Sequence, residues 1–408
     1  MTDALKQRLG TLRRQAGATY TGAPPTNPSV AERLQRYRVE RRSAPGTSSR
    51  NAPKELAARM GGELIDAGVV RIEQRIALDE RHGRVALDRL LDGHDGMPET
   101  AGLDPRSLVF LDTETSGLAG GSGTIAFMLG LARIEVEALV VRQYQLTGFA
   151  GEASMLEDAA AWLREAGTLV TFNGKCFDAP LLSARARLAR MPDPCAHMAH
   201  VDLLHPTRRA FARVWPDCRL ATAERELVGF RRLHDLPGSE APMAWFNYLK
   251  RGDAGLLPEV ARHNYWDLVS LAALLPALAQ VHGSPAAMGA DVLGVARAFL
   301  TRGDEGRAQA VLREGADALD EDGLLELARL LRRRRDWNGA CAIWERLAAG
   351  GSTEAVERLA KYHEHVRRDY RRALELAKQL PDGELKRQRQ QRLARKVHAT
   401  QIRLLVGG

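Results

Sequence analysis

The stretch SLVFLDTETSGLAGGSGTIAFMLGLARI, residues 107–134, predicts two strands joined by a glycine-rich turn. Its apolar run Leu108–Leu111 contains β-branched and aromatic side chains, as is typical of a buried strand. Asp112 and Glu114 follow at alternate positions, so both carboxylates point to the same face of that strand. Two acids on one buried face are unfavourable without a cation, and hard divalent cations such as Mg²⁺ bind carboxylate oxygens. The pattern therefore indicates a metal site.

The glycines of this stretch let the backbone pass close to a ligand; they are Gly117, Gly120, Gly121 and Gly123. They do not form a phosphate-binding loop, because no helix pattern and no Gly-Lys-Ser/Thr follows them. An Asp-x-Glu after an apolar run is also common in proteins without a metal. The metal interpretation therefore depends on the rest of the chain.

The composition is that of an ordinary globular protein. A length of 408 residues predicts two or three domains. The 4 cysteines form no Cys-x-x-Cys pair, and neither a signal peptide nor a long apolar run is present. Together these features predict a reduced, cytosolic protein without a membrane segment.

The net charge of +8 is unevenly distributed along the chain. Residues 1–55 have 11 Lys/Arg and 4 Asp/Glu, a net charge of +7, and residues 381–408 have 7 and 2, a net charge of +5. The residues between them therefore carry −4. Basic ends suit a polyanion such as nucleic acid. They are equally typical of solvated arms that bind nothing in particular.

The predicted elements divide the chain into five segments. A disordered basic arm (1–55), with one short helix near 30–42, precedes a small β-rich extension (56–105). Residues 106–282 give three strands and then helices alternating with strands, which predicts a mixed sheet with helices on its faces. Helical repeats (285–380) and a basic helix or tail (381–408) follow.

The helical segment contains one signal three times: DEGRA at 304–308, DWNGA at 336–340 and DYRRA at 369–373. The aspartates are 32 and 33 residues apart, which is the period of a tetratricopeptide repeat. We expect each Asp to be the N-cap of a helix, and the Ala four residues later to pack against the preceding helix. The preceding helices are expected at 292–301, 324–335 and 353–367.

Two further stretches add acids to the first pair. In TFNGKCFDAPLL, residues 171–182, a strand ends, Asn173-Gly174 turns and Asp178 opens a helix, where it could be a plain N-cap. In ARHNYWDLVSLAALL, residues 261–275, Asp267 lies in an apolar helix and needs a partner. His263, four residues earlier, shares its face, although such a pair can also be merely structural. Four carboxylates are enough to hold two divalent ions, which clamp the attacking and leaving oxygens of a phosphodiester.

The order DTETSGL, FNGKCFDAPLL, HNYWDLVSL resembles the DEDD superfamily of 3′–5′ exonucleases. DTETSGLAGGSGTIAF, HVDLLHPTRR and LPGSEAP look like the YprB-type family of ribonuclease H-like proteins, which often carry C-terminal tetratricopeptide-like repeats. The resemblance covers about residues 108–278. It implies an α/β ribonuclease H-like fold, a mixed β-sheet with helices on both faces, followed by an all-α helical repeat domain. It also implies two Mg²⁺ or Mn²⁺ ions with these ligands: Asp112, Glu114, Asp178 and Asp267.

His263 departs from both branches of the superfamily. The tyrosine-type branch has a Tyr four residues before the last Asp, where this chain has His263. The histidine-type branch has a His five residues before it, where this chain has Arg262. Because imidazole titrates near neutrality, we expect His263 to align or deprotonate the attacking water. Candidate substrate contacts are Thr113, Asn173 and Lys175, and for Asn173 we favour a role in the turn.

The sequence thus predicts a metal-dependent nuclease, by resemblance a 3′–5′ exonuclease that hydrolyses single-stranded RNA or DNA ends. The alternative is a catalytically weak or inactive nucleic-acid-binding scaffold that recruits a protein partner through its repeats. The complete set of four carboxylates favours the enzyme. Other groupings remain open: Asp202 as a fifth acid, Arg231 and Arg232 as backbone contacts, and a zinc site, whose spacing matches no paired-ligand motif, at Cys195, His197, His200 and His205.

Overall fold

The computed structural model describes residues 52–66, 68–117, 123–233 and 235–406, with side chains up to Ile402. Two compact units meet in sequence between Gly283 and Ser284. Of the predicted basic arm, residues 1–51 lie outside the described residues, and so do the predicted helix near 30–42 and two glycines of the turn, Gly120 and Gly121. No helix within the described ranges combines the length and hydropathy that a membrane span requires.

A seven-stranded mixed sheet forms the centre of the first unit, in the order β1-β2-β7-β6-β5-β8-β9. Pairing is antiparallel from β1 to β5 and parallel from β5 through β8 to β9. The strands are β1 (Glu63–Asp66), β2 (Val69–Ala77), β5 (Leu108–Thr115), β6 (Ala126–Glu135), β7 (Ala138–Leu146), β8 (Thr168–Thr171) and β9 (Ala199–Asp202), with a separate small hairpin of β3 (Arg81–His82) and β4 (Val85–Ala86).

The first two strands of the chain, β1 and β2, belong to the same sheet as β5. β2 pairs with β7 along its whole length, from Val69 opposite Leu146 to Ala77 opposite Ala138. The first two residues of β2 are buried, and most of its last five residues are exposed. The hairpin expected in this part of the chain therefore extends the central sheet.

The helices of the first unit cover both faces of the sheet. Neighbouring residues of β7 show this, because Tyr144 donates to Asp158 while Gln143 donates to Asn264 on a late helix. The late helix packs against β5, β6 and β7. The helices are α1 (Ala52–Met60), α2 (Glu152–Leu163), α3 (Asp178–Leu188), α4 (Leu204–Phe211), α5 (Leu220–Ala223), α6 (Ala241–Arg251) and α7 (Leu257–Gly283).

The second unit is entirely helical in its described part. Its helices are α8 (Val292–Thr301), α9 (Glu305–Glu314), α10 (Glu321–Arg333), α11 (Trp337–Ala349), α12 (Thr353–Tyr362), α13 (Tyr370–Lys378) and α14 (Glu384–Val406). The predicted caps are confirmed, because the side chains of Asp304, Asp336 and Asp369 each accept the N–H three residues later. The alanines at 308, 340 and 373 are fully buried, as expected.

A left-handed residue precedes each capping aspartate. These residues are Gly303 (φ 81°), Arg335 (φ 62°) and Arg368 (φ 55°). The next N–H, that of the aspartate, then bonds to a carbonyl five or six residues back and closes the preceding helix. Glycine suits this position, whereas an L-residue with a side chain pays about 1–2 kcal/mol for it.

The basic C-terminal helix, α14, is anchored by one buried acid. Glu364 is 2% exposed and accepts hydrogen bonds from Arg392 and Lys396, with Nη2 and Nζ each 2.8 Å from a carboxylate oxygen. Burial alone would raise the pKa of Glu364, but these two cations outweigh it and lower the pKa to about 2. Two of the positive charges of α14, on Arg392 and Lys396, are therefore paired with a carboxylate of the same protein.

Candidate active site

Four acidic side chains come together where β5 and β8 end. β5 is buried over Leu108–Leu111 and partly exposed from Asp112 onward, so Asp112 and Glu114 stand at the edge of the core. β8 runs parallel to β5, and its carboxyl end leads through a turn to Asp178, the first residue of α3. α7 brings Asp267 from the other direction. Ligands commonly bind at the carboxyl ends of such strands.

An amide from α7 holds Asp112. Asn264 is fully buried; its Nδ2 donates to Asp112 Oδ2 at 2.8 Å, and its Oδ1 accepts from Gln143 Nε2 at 2.8 Å. Asp112, Gly130 and Gln143 lie in one row across β5, β6 and β7. Asn264 sits over the glycine, since a Cβ on Gly130 would be 2.2 Å from Asn264 Oδ1. Three strands and one helix therefore fix one oxygen of Asp112.

The turn after β8 positions Asp178. Asp202 is 2% exposed, and its carboxylate accepts the backbone N–H groups of Asn173 (2.6 Å), Lys175 (3.1 Å) and Leu204 (3.1 Å). Asn173 has a φ of 69°, which its short polar side chain tolerates. Asp202 is therefore the anchor of the turn, with both of its oxygens occupied by the backbone.

Asp178 is not a helix cap. Phe177 occupies the cap position without a side-chain cap, and the Asp178 carboxylate instead accepts the hydroxyl proton of Thr113 on β5. This bond links the first turn of α3 to the strand that carries Asp112 and Glu114. The plain N-cap role that the sequence allowed for Asp178 is therefore replaced by a place in the acidic cluster.

His263 and Asp267 are paired across one turn of α7, as their spacing predicts. His263 Nε2 is 3.3 Å from Asp267 Oδ2 and 4.0 Å from Glu114 Oε1. The other ring nitrogen, Nδ1, is 2.8 Å from Asp235 Oδ1. Ligand atoms of Glu114, His263 and Asp267 all lie within 4.8 Å of one another, the single such group within the described part of the chain.

A buried arginine completes this side of the site. Arg232 is 8% exposed at its side chain; Nη2 donates to Asp267 Oδ1 at 2.6 Å, and Nε donates to Glu224 Oε2 at 3.0 Å. Glu224 opens a π-helical turn, Glu224–Val228, that continues α5. Arg232 is thus an internal cation, which corrects the idea that it lies free to contact a nucleic-acid backbone.

The electrostatics of the site are those of crowded acids. Burial, together with repulsion from Asp267, Asp178 and Glu114, raises the pKa of Asp112 well above its usual range. Burial is also the main cause that raises the pKa of Glu114 to about 8 and that of Asp178 to about 6. The two nearby cations, His263 and Arg232, oppose the shift of Glu114 but do not cancel it. Fully ionised, the four carboxylates would therefore carry more negative charge than the cations of the site neutralise.

This donor set fits a hard divalent cation. It offers carboxylate oxygens with one imidazole nitrogen at the edge, and no thiolate. Arg232 occupies Oδ1 of Asp267, and Oδ2 remains on the side of Glu114. An added cation would relieve the repulsion that raises the pKa values of these acids.

The candidate substrate contacts separate into two kinds. Thr113 and Asn173 are engaged inside the protein, Thr113 by Asp178 and Asn173 by Asp202. Lys175 is exposed at its side chain and lines a cavity of about 260 Å³ together with Cys195 and His200. Of the three candidates, Lys175 is therefore the one whose side chain is exposed to solvent, and it carries a positive charge.

The structure does not assemble the alternative zinc site. His200 Nε2 pairs with Thr171 Oγ1 at 2.9 Å, and His197 Nε2 lies 3.2 Å from the carbonyl oxygen of Ala166. Burial raises the pKa of the Cys195 thiol to about 12, so the thiolate that zinc prefers is disfavoured there. Within the described ranges, these groups do not form a three-ligand cluster.

Several residues of the site were missed by the sequence analysis. Asn264 and Gln143 are buried polar residues in apolar surroundings, and that contrast is a usable signal. Asp235 and Glu224 come from loop and π-turn segments that carry no such signal. Phe177, directly before Asp178, has a side chain that is 52% exposed.

Two comparisons with known proteins show what this chain is similar to. Residues 109–279 match a family model described as RNase_H superfamily. The chain is also 31% identical to the uncharacterized protein YprB of Bacillus subtilis (strain 168) in an alignment over 328 residues that covers 75% of this chain and 79% of that protein. The matched segment contains β5 to β9 and nearly all of α7, and therefore every acid of the site.

Proposed function

The chain belongs to the YprB family of the RNase H superfamily, and from that premise we propose that it is a metal-dependent nuclease that acts on single-stranded nucleic acid from the 3′ end. The superfamily supports a nuclease-type function. One observation carries the finer proposal: four acids are held in mutual repulsion at the edge of the core. Such an arrangement is costly to folding and is kept where a cation is bound.

Asp112, Glu114, Asp178 and Asp267 would hold two Mg²⁺ or Mn²⁺ ions. When bound, these ions would supply Lewis-acid stabilisation of the charge that develops on the phosphate oxygens. The chain prepares its ligands in advance: Asn264 orients Asp112, Thr113 orients Asp178, and Arg232 orients Asp267. Ligands fixed in this way need little reorganisation during the reaction.

His263 is the proton acceptor in this proposal. Its Nδ1 faces Asp235, so Nε2 is the nitrogen available toward the acidic cluster. Burial alone would lower the pKa of His263, but Asp267, Glu114 and Asp235 outweigh it and raise the pKa. Once Glu114 and Asp267 are neutralised, the imidazole releases its proton more readily and can accept one from the attacking water.

Two exposed side chains next to the acids suit a single strand. Phe177 presents an aromatic ring on which a base can stack, and Lys175 presents a cation to a phosphate. Both follow from the turn that Asp202 anchors, so their positions are tied to that of Asp178. We therefore place the last nucleotides of the strand over this turn.

The test is cleavage of single-stranded RNA and DNA, each labelled at the 5′ or the 3′ end, with Mn²⁺, Mg²⁺ or chelator. Wild type is compared with Asp112→Ala and with Glu135→Ala, a control acid on the same sheet that is outside the site. We expect stepwise shortening from the 3′ end that needs metal and Asp112 but not Glu135. Binding of both strands without cleavage in either metal would refute the nuclease and support the scaffold alternative.

A further inference from the structure

The helical unit has two sets of loops at opposite ends of its helices. The joining loops connect the two helices of each pair and span 302–304, 334–336 and 368–369, the last of them directly after a π-helical turn, His363–Arg367. The linking loops connect one pair to the next helix and span 315–320, 350–352 and 379–383. Because consecutive helices are antiparallel, each set gathers along its own edge of the unit.

Positive charge is concentrated at the edge of the joining loops. Residues 284–380 contain 17 Lys/Arg and 16 Asp/Glu, so the net charge of the repeats is only +1. The linking loops contain three aspartates and no Lys or Arg, whereas the joining loops contain four arginines beside their three capping aspartates. Six exposed arginines in or next to the joining loops constitute what we call the arginine edge: Arg302, Arg332, Arg334, Arg335, Arg367 and Arg368. The placement of the charges, and not their sum, distinguishes the two edges.

The arginine edge is not used for internal pairing. Across the described ranges, none of its six side chains forms an ion pair, whereas neighbouring arginines such as Arg329 and Arg358 do. Arg333, in the same run, pairs with Glu305 at the preceding joining loop. The six guanidinium groups are therefore available to a ligand.

Two of these arginines occupy backbone positions that favour glycine. Arg335 (φ 62°) and Arg368 (φ 55°) correspond to Gly303 (φ 81°) in the first pair. A glycine would satisfy the turn without strain, and the arginine side chains have no partner inside the protein. Arg335 and Arg368 therefore adopt an unfavourable backbone conformation although their side chains stabilise nothing inside the protein. This combination points to a role of the two side chains in binding.

Contacts between neighbouring loops make the edge continuous. The Arg333–Glu305 pair joins the second joining loop to the first, and the Arg334 guanidinium lies 3.3 Å from where a Cβ on Gly306 would be. The Trp337 ring, next to the second loop, packs against Tyr362 with centroids 5.3 Å apart, near the third loop. The arginines therefore form a row along the stack of helices.

We propose that the arginine edge binds the phosphate backbone of single-stranded nucleic acid. Guanidinium groups suit phosphate because they are always charged and donate in a fork, and a row of them matches a repeating anion better than an isolated carboxylate. The choice of nucleic acid as the ligand rests on the proposed nuclease function. The observations on the edge itself do not involve the acidic site, so binding and cleavage are tested separately.

The experiment measures the anisotropy of a fluorescein-labelled 30-nucleotide single strand, RNA or DNA, against the full chain in chelator at 50–200 mM salt. The edge variant carries alanine at Arg334, Arg335, Arg367 and Arg368. The control variant loses the same charge at four ion-paired basic residues, Arg329, Arg358, Lys361 and Arg387. Each lost phosphate contact lowers the salt slope by about 0.7, so we expect a decrease of up to about 3 and at least tenfold weaker binding for the edge variant alone.

Equal loss in both variants would mean that net charge governs binding, and an unchanged edge variant would mean that the strand binds elsewhere; either result overturns the proposal. Competition by poly-glutamate as strong as that by unlabelled strand would also overturn it, in favour of an acidic protein partner. Cleavage with metal is scored in the same samples. Edge-dependent binding without cleavage would leave this inference standing while the nuclease proposal fails.

Discussion

Replacing Glu114 by Gln should stabilise the protein in chelator and weaken its response to metal. The Glu114 carboxyl is 12% exposed, and burial with repulsion from Asp267 and Asp178 raises its pKa from 4.5 to about 8. Gln keeps the shape of the side chain but cannot ionise. It therefore removes the cost of keeping this group protonated in the folded, metal-free protein.

The magnitude follows from the pKa shift. Between pH 4.5 and pH 8 the unfolded chain releases this proton while the folded protein retains it, so the free energy of unfolding falls as the pH rises. One pKa unit corresponds to about 1.4 kcal/mol, so the penalty at pH 7 is about 3 kcal/mol. Removing it should raise the melting temperature in chelator by about 5–10 °C at pH 7, and by little at pH 5.

The assay is thermal unfolding of wild type and Glu114→Gln from pH 5 to pH 8, in chelator and in Mn²⁺. Wild type gains about 2.7 kcal/mol at an ion concentration 100 times its dissociation constant, whereas the variant, with one ligand fewer, gains less. Glu135→Gln is the matched control. Burial would raise the pKa of Glu135, but Arg133 and Trp162 outweigh it and lower the pKa, so this change should slightly destabilise the protein at every pH.

Three results would contradict this reasoning. Equal melting temperatures of wild type and Glu114→Gln in chelator would show that the acids do not strain the fold. A shift that does not change with pH would show that packing, and not ionisation, is responsible. Equal stabilisation of both proteins by Mn²⁺ would show that Glu114 does not bind the ion.

Three further predictions test the surroundings of the site and the second unit. Gly130→Ala places a Cβ 2.2 Å from Asn264 Oδ1, so it should lower the free energy of unfolding, measured by chemical denaturation, by about 1–3 kcal/mol. It should also lower cleavage without changing the affinity for single-stranded nucleic acid. Unchanged stability would contradict the close packing of Asn264 on Gly130. Asp202→Asn keeps one acceptor oxygen and should cost about 1.5–3 kcal/mol, with a loss of cleavage because Asp178 is displaced, whereas normal cleavage would show that the turn is not needed. The pKa of Glu364 is lowered to about 2, so the stability that this carboxylate contributes is present above pH 4.5 and is lost as the pH falls from 4.5 to 2. Circular dichroism should show the loss of the last helix, α14, in that pH range. A Glu364→Gln variant should not show that transition.

Local rules were enough to find the four acids. Strand alternation places Asp112 and Glu114 on one face, and helix periodicity places His263 one turn before Asp267. The same rules gave the three capped helices of the second unit, because an Asp cap and a buried Ala are both decided within five residues. The ribonuclease H-like fold followed from the resemblance and the helical second unit from the repeated sequence signal, and both are present.

The residues that orient the acids could not be found in this way. Asn264 and Asp112 are 152 positions apart in sequence, and they meet because α7 crosses β5 above a glycine of β6. Arg232 depends on a π-turn and a loop whose course no short pattern determines. A buried polar residue is expected to have a hydrogen-bond partner, but only the tertiary structure identifies that partner.

The position of α7 has a consequence for the timing of activity. Asn264, His263 and Asp267 all belong to this last helix of the first unit, whereas Asp112 and Glu114 belong to a strand made some 150 residues earlier. During synthesis the early acids are present long before the residues that orient and complement them. A chain that ends before α7, or one in which α7 has detached, holds half a site. The appearance of cleavage would therefore report that the whole first unit has folded. The time at which cleavage begins would measure the final folding step, the docking of α7 onto the sheet.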